Sequence, residues 1–169
     1  MLKENHGKGF ALRKGIETAS GGIIIFQDAD LEYDPDDFHI MIAPILEGRA
    51  KAVTGSRFPG KAVNMSLFYY IGNGFLSFAN NILFGAHIND LCSCYKAFET
   101  ETLRSLNLDC VGFESEADMI SRAERKGIKI IEVLIRYNAR TSEQGKKLKW
   151  FDGVLIFLRL LRNRFIKIK

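Results

Sequence analysis

Apolar positions along the chain alternate between helical spacing and short continuous runs. Phe10, Ala11, Leu12, Ile16 and Ala19 recur at helical intervals and stop at Ser20-Gly21-Gly22, which predicts a helix over 10–19. Ile23-Ile24-Ile25-Phe26 is an apolar run too short for a helix and reads as a strand buried on both faces. Asp34-Pro35 then opens a helix to about Glu47, with Asp34 as N-cap and Pro35 in the first helical position, where its missing N–H leaves no bond unmade. Ala50 to Thr54 is a second strand, followed by the loop 55–60.

The next long helix, Ser66 to Phe84, lies in a stretch (62–88) without Lys, Arg, Asp or Glu. Asn73, Ser77, Asn80 and Asn81 nevertheless recur at helical spacing, so the helix is amphipathic and not a membrane span. Asp90 to Phe98 predicts a loop and strand, 100–106 a short helix, and Glu114 to Lys126 a longer one stopped by Gly127. Lys129 to Tyr137 is a strand, Asn138 to Lys149 a polar basic loop, and Trp150 onward a final helix. Strands alternating with helices predict an α/β fold with a mostly parallel sheet flanked by helices. The expected division is a body over 1–149 and a basic amphipathic helix over 150–169.

Charge changes that picture at one end. Residues 146–169 carry eight Lys/Arg against Asp152 alone, whereas the first 145 residues are net acidic. The tail is also rich in Leu, Ile and Phe, which suits a membrane surface with anionic character better than a nucleic acid. No platform of aromatics interleaved with basic residues is present, so nucleic-acid binding is not expected. Residues 1–9 lack the apolar core of a signal peptide. Cys92, Cys94 and Cys110 are odd in number and complete no zinc pattern, consistent with reduced thiols in the cytoplasm. The expected place is therefore the cytoplasmic face of a membrane.

Candidate chemistry begins with Asp28-Ala29-Asp30, at the C-terminal end of the first strand, where ligands gather in open α/β sheets. Two converging carboxylates repel unless a cation lies between them, and a hard divalent ion such as Mg²⁺ or Mn²⁺ suits oxygen ligands and leaves positions for phosphate. Arg57 follows the second strand and has the planar fork suited to bidentate phosphate binding. Lys8-Gly9, just before a helix, could meet an anion through backbone N–H groups. The full phosphate loop of nucleotide triphosphatases is absent. An aspartate phosphatase would require a threonine shortly after the second aspartate, where Leu31-Glu32-Tyr33 stands.

The segment Phe26-Gln27-Asp28-Ala29-Asp30-Leu31-Glu32-Tyr33-Asp34-Pro35 resembles the Asp-x-Asp region of family 2 glycosyltransferases of the GT-A type, in particular the dolichol-phosphate mannosyltransferase-like branch. Asn5-His6-Gly7-Lys8-Gly9-Phe10-Ala11, Gly55-Ser56-Arg57-Phe58, Asp90 through Lys96, Gly112-Phe113-Glu114, Glu132-Val133-Leu134-Ile135, and Arg140-Thr141 with Gly145-Lys146-Lys147 resemble further motifs of that family, in order. The family often has proline where Leu134 stands. The resemblance implies metal-dependent, inverting transfer of a sugar from a nucleotide-sugar donor to a polyprenyl phosphate or glycan acceptor. It implies Asp28, Asp30 and Glu32 on the metal side, with Asp28 also supporting the ribose. Lys8, Gly9, Arg140, Lys146 and Lys147 would face the donor, Arg57 would support the reaction, and Asp90 would be the base.

The family's first strands, which grip the nucleotide base, have no counterpart before Met1. The expectation is therefore a truncated product, a split gene or a domain completed by an N-terminal partner chain. The alternative function is an inactive fragment that acts only as a binding subunit.

Overall fold

The structure is a computed structural model that describes residues 6–58, 62–63, 65–140 and 150–166. Lys146 and Lys147, together with Asn5, Thr141 and Gly145 of the family-like motifs, lie outside the described residues. Helix α1 spans Lys8–Thr18 and strand β1 spans Ile23–Phe26. A 3₁₀ turn over Pro35–Asp37 leads into α2, Phe38–Leu46, with the Asp34 side chain accepting from Asp36 N at 3.0 Å as a local cap. Strand β2 is Ala52–Ser56, β3 is Ala62–Val63, and α3 is Leu67–Phe84, closed by Gly85 in the left-handed region at φ 69°. Then come β4 Lys96–Glu99, α4 Thr100–Ser105, α5 Ser115–Arg125, β5 Ile130–Leu134, β6 Tyr137–Asn138 and α6 Trp150–Phe165. The strand expected over 129–137 is thus divided between β5 and β6.

The main sheet has the order β1-β4-β2-β5, and β3 pairs with β6 in a separate two-stranded ribbon. In the main sheet β1, β2 and β5 point the same way, and β4, lying between β1 and β2, runs against both. The sheet is thus mostly parallel in strand direction, as expected, but mixed through one antiparallel strand. A parallel β4 would have to start at the opposite end of β2, as after a crossover. Here α3 and its following loop make a round trip instead. Arg57, just past β2, meets Asp90, just before β4, so β4 starts where β2 ended and must run back along it.

Two apolar clusters hold the layers. The first gathers Met41 of α2 with Val53, Ala97 and Phe98 of the sheet, and Leu103, Met119 and Ile135 around them, all buried. The second packs α3, α5 and α6 through Leu76, Leu91, Ile120, Ile156 and Leu160. Each such side chain contributes roughly 1.5–3 kcal/mol by leaving water. Lys96 is fully buried in β4, and its Nζ donates to the carbonyls of Leu91 (3.1 Å) and Ser93, pinning the loop before the strand.

One buried contact between α3 and α5 is ill-matched in charge. Asn80 Nδ2 donates to both carboxylate oxygens of Glu124, at 3.1 and 2.9 Å, while Asn80 Oδ1 is buried without a partner. Burial pushes the Glu124 carboxyl up to about 7, against the pull of the Asn80 amide. An acid held above its ordinary value of 4.5 supports the fold while protonated, and that support is lost as pH rises through about 7. Glu124→Gln keeps an acceptor for Asn80, adds a donor for its free oxygen and removes the buried charge. The variant is expected to exceed the parent by about 1–3 kcal/mol in urea unfolding at pH 8, with the difference fading toward pH 5. Equal gains at both pH values would contradict this account.

Candidate functional site

A single cavity of about 660 Å³ opens beyond the ends of β1 and β2. Its polar end is lined by Lys8, Asp28, Asp30, Glu32, Arg57, Glu116 and Arg140. Its other end is walled by Phe68, Phe75 and Leu76 of α3 and by Val154, Ile156 and Phe157 of α6. Phe75 and Phe157 are in ring contact at 5.7 Å, so the apolar end is the seam between the two helices.

The carboxylates sit on a tight turn after β1. Leu31 has φ 63°, a left-handed conformation uncommon outside glycine, and it lets Asp30 Oδ1 accept from Glu32 N at 3.2 Å. Asp30 Oδ2 receives Arg140 Nη2 at 2.7 Å. Glu32 accepts Tyr137 Oη at 2.9 Å and the Arg140 backbone N–H at 2.8 Å, with the Arg140 side chain at 3.4 Å. Glu32 therefore anchors the chain after β6 and holds Arg140 against Asp30. Both of its oxygens serve protein donors in this structure.

No group of three or more His, Cys, Asp or Glu among the described residues could hold a metal unaided. Asp28 and Asp30 remain, both facing the cavity. Two carboxylates suit Mg²⁺ or Mn²⁺ when phosphate oxygens and water complete the shell, which is the usual arrangement for Mg²⁺. The residues present fit a metal brought with a diphosphate and do not form an all-protein cage.

Lys8 sits between two acids, 2.9 Å from Asp28 Oδ2 and 2.8 Å from Glu116 Oε1, with Cys94 Sγ at 3.7 Å. Burial opposes its charge, but Glu116, Cys94 and Asp28 outweigh burial and hold the ammonium protonated well beyond the usual lysine range. The neighbouring glycines have a packing role. A Cβ at Gly9 would lie 2.7 Å from Cys110 O, and Gly9 N–H donates to Val111 O at 2.9 Å. Its amide is therefore engaged by the chain itself in this structure. Gly7, at φ 92°, turns the chain into α1 where a Cβ would meet Val111 O at 2.4 Å. The thiols are quiet: burial pushes Cys92 up to about 12 and Cys94 further, so neither offers a thiolate nucleophile.

Arg57 is buried at the cavity wall, with its guanidinium 4.9 Å from the Tyr137 ring centre. Its Nε and Nη2 donate to the two oxygens of Asp90, each at 2.7 Å, and its backbone N–H adds a third bond at 2.9 Å. Asp90 is fully buried and does not line the cavity. Both Asp90 oxygens are held by the Arg57 side chain, so in this structure the aspartate fixes Arg57. A further acid that lines the cavity is Glu116, at the start of α5, with Oε1 beside Lys8 and Oε2 accepting from Ser115 Oγ at 2.8 Å. Its position after Gly112-Phe113-Glu114 was the available signal, but nothing in local sequence distinguishes it from an ordinary first-turn helical acid.

Part of the charge of the tail is engaged within the fold. Arg159 and Arg162 of α6 reach Asp109, at 2.5 and 2.6 Å, beside the buried Arg122–Asp118 pair at 2.7 Å. Exposed on α6 are Phe151, Leu155, Leu158 and Phe165, together with Arg162 and Arg164. On α3, Leu67, Ile71, Phe75, Phe78 and Ile82 form a second exposed apolar stripe. No helix among the described residues is long and apolar enough to cross a membrane.

Comparison with known proteins accounts for this arrangement. Residues 1–106 match Glycosyl transferase family 2. The chain is 30% identical to the UDP-N-acetylglucosamine–dolichyl-phosphate N-acetylglucosaminyltransferase of Methanococcus voltae, covering 98% of this chain and 69% of that one. It is 29% identical to the glycosyltransferase AglJ of Haloferax volcanii, covering 96% of this chain and 54% of the relative. The fold matches glucosyl-3-phosphoglycerate synthase of Mycobacterium tuberculosis, in complex with Mn²⁺ and UDP-glucose, with TM-score 0.70 at 19% identity over 99% of this chain and 58% of that one. The chain thus spans little more than half the length of several proteins it resembles. With an α/β fold of the same kind and motifs matched in order, the chain belongs to glycosyl transferase family 2.

Proposed function

We propose that this chain carries the reaction centre of a glycosyltransferase that moves a sugar from a nucleotide-sugar donor to a polyprenyl phosphate at a membrane surface. The observation that carries the reading is the two-ended cavity, with acids and cations at one end and the α3/α6 apolar seam at the other. A glycan acceptor has no use for an apolar seam, whereas a prenyl chain does. The relatives support both halves: one is named for a dolichyl-phosphate acceptor, and a structural neighbour was solved with Mn²⁺ and UDP-glucose.

The donor diphosphate lies at the Asp28/Asp30 end. Bound there through these two carboxylates, Mg²⁺ or Mn²⁺ would act as a Lewis acid toward the leaving diphosphate. Lys8 and Arg140 add fixed positive charge, which stabilises charge developing in the transition state without reorganisation. Lys146 and Lys147, which follow Arg140 closely in sequence, would add positive charge toward the donor. Arg57, held rigid by Asp90 and Tyr137, orients the acceptor phosphate. A phosphate is already an anion at neutral pH, so its oxygen attacks the anomeric carbon without a base, in one displacement that inverts the centre. A hydroxyl acceptor would have to lose a proton, and Glu116 is the cavity acid placed to receive it.

The exposed apolar faces of α3 and α6 would rest in the interfacial layer of the membrane, at its cytoplasmic face, delivering lipid to the seam. The surplus of Lys and Arg near the C-terminus, such as exposed Arg164, would meet anionic headgroups.

Three outcomes follow. Calorimetric titration with Mn²⁺ and a panel of nucleoside diphosphates should show metal-dependent binding that weakens at least about tenfold in Asp30→Asn. Binding that ignores both the metal and the substitution would refute the donor site. Asp90→Asn should lower stability by about 3–5 kcal/mol, because Arg57 keeps a buried charge without a counter-ion. A fully stable Asp90→Asn protein with turnover reduced a hundredfold would instead make Asp90 the base. Finally, Ile71→Asp with Phe78→Asp should reduce co-sedimentation with anionic vesicles by about tenfold or more, since each apolar side chain withdrawn contributes roughly 1.5–3 kcal/mol. Nucleotide binding should be unchanged, and undiminished vesicle binding would dismiss the membrane face.

A further inference from the structure

We propose that Asn73 positions the acceptor, its Nδ2 donating to an oxygen on the phosphate head of an apolar-tailed substrate; the inference rests on the transferase reading above. The polar stripe of α3 has one evident task, to hold the loop that follows it. Asn81 brackets Ile88, accepting from its N–H at 2.9 Å and donating to its carbonyl at 3.0 Å. Ser77 Oγ accepts from Leu91 N at 3.0 Å, and Asn73 Oδ1 accepts from Cys92 N at 3.0 Å. The Cys92 bond fixes the orientation of the Asn73 amide, since only its oxygen can accept.

The other end of that amide is unexplained by the fold. Asn73 is 6% exposed, and its Nδ2 is buried with no hydrogen-bond partner. Buried donors are nearly always paired, so an orphan calls for a ligand or another specific reason. Asn80 also carries an orphan atom, but it packs against Glu124 in the α3–α5 contact and does not line the cavity. Asn73 does line it.

Its position sets the chemistry. Asn73 lies one turn from Leu76 of the apolar seam, and it holds Cys92, two residues from the Asp90 that fixes Arg57. It therefore stands where the wall changes from charged to apolar. A molecule with its anionic oxygen near Arg57 and its chain between α3 and α6 would pass its head group beside this amide. The amide is neutral, so it selects by direction and leaves charge recognition to Arg57.

The test uses the full chain with farnesyl phosphate as acceptor. Asn73→Asp keeps an oxygen facing Cys92 N and removes the donor. The acceptor KM should rise at least about tenfold, while kcat and Mn²⁺-dependent nucleotide affinity stay at the parent values. Asn73→Ala should show the same split. Ser77→Ala, which loosens the same loop without touching the donor, should not. An unchanged KM in both Asn73 variants, or an equal rise in Ser77→Ala, overturns the proposal and leaves Asn73 a loop anchor. Farnesol and inorganic phosphate serve as competitors: the lipid head is supported if farnesyl phosphate alone loses affinity on substitution. Equal loss for inorganic phosphate makes the site one for free phosphate and overturns the lipid assignment. Should the parent chain transfer no sugar, the transferase reading fails, while the Asn73 contact is still decided by calorimetry with farnesyl phosphate, where Kd must show the pattern required of KM.

Discussion

The Arg57–Asp90 pair is the constraint on which the rest of the site depends. It joins the loop leaving β2 to the loop entering β4, residues 33 apart in sequence. A buried bidentate ion pair is not cheap, because both ions leave water, and such a pair is weak evidence for stability as such. What it supplies here is geometry. It fixes where α3 must return, hence the direction of β4 and the order of the sheet. Glu132 of β5 secures the same corner by accepting from the backbone N–H groups of Asn89 and Asp90 at 3.0 and 2.9 Å. Tyr137 closes it from the far side, and through Glu32 the same tyrosine reaches the carboxylate turn.

Charge in the cavity is paired with acid in excess. Asp28 and Glu116 share Lys8, and Asp30 and Glu32 share Arg140, so two cations meet four carboxylates. A site of this kind tolerates a diphosphate and a divalent cation arriving together, because the added charges nearly cancel and the existing pairs exchange partners. A metal alone would have to compete with Arg140, and a diphosphate alone with the acids. Asp109 gathers charge in the same way, from Arg159 and Arg162 of α6 and Arg122 of α5. These three arginine contacts hold Asp109 down to about 2 despite its partial burial.

Some of this was legible in the chain. The apolar run Ile23–Phe26 followed at once by two aspartates marks a strand end with acids on it. Asp34-Pro35 marks a helix start, and the structure has a capped turn there. The stripe of Asn73, Ser77, Asn80 and Asn81 shows that one face of α3 is polar. Local sequence does not show what that stripe touches. Its partners lie on the loop 88–92 and on Glu124, brought there by tertiary packing. The same limit explains Glu32, Gly9 and Asp90. Local sequence shows the residue type of each, but not the hydrogen bonds across the fold that engage its atoms.

What the sequence determined by itself is the element list, the family and the set of residues from which a reaction centre could be drawn. Those follow from periodicity, turn chemistry and motif order, which are local properties. Only the tertiary structure decided the direction of β4, the pairing of every charge in the cavity, and which acids face it. The physical reason is that a carboxylate is defined by what surrounds it. Asp90 buried against a guanidinium and Glu116 on a cavity wall are chemically alike in the chain and different in the fold, because burial and hydrogen-bond partners come from residues distant in sequence.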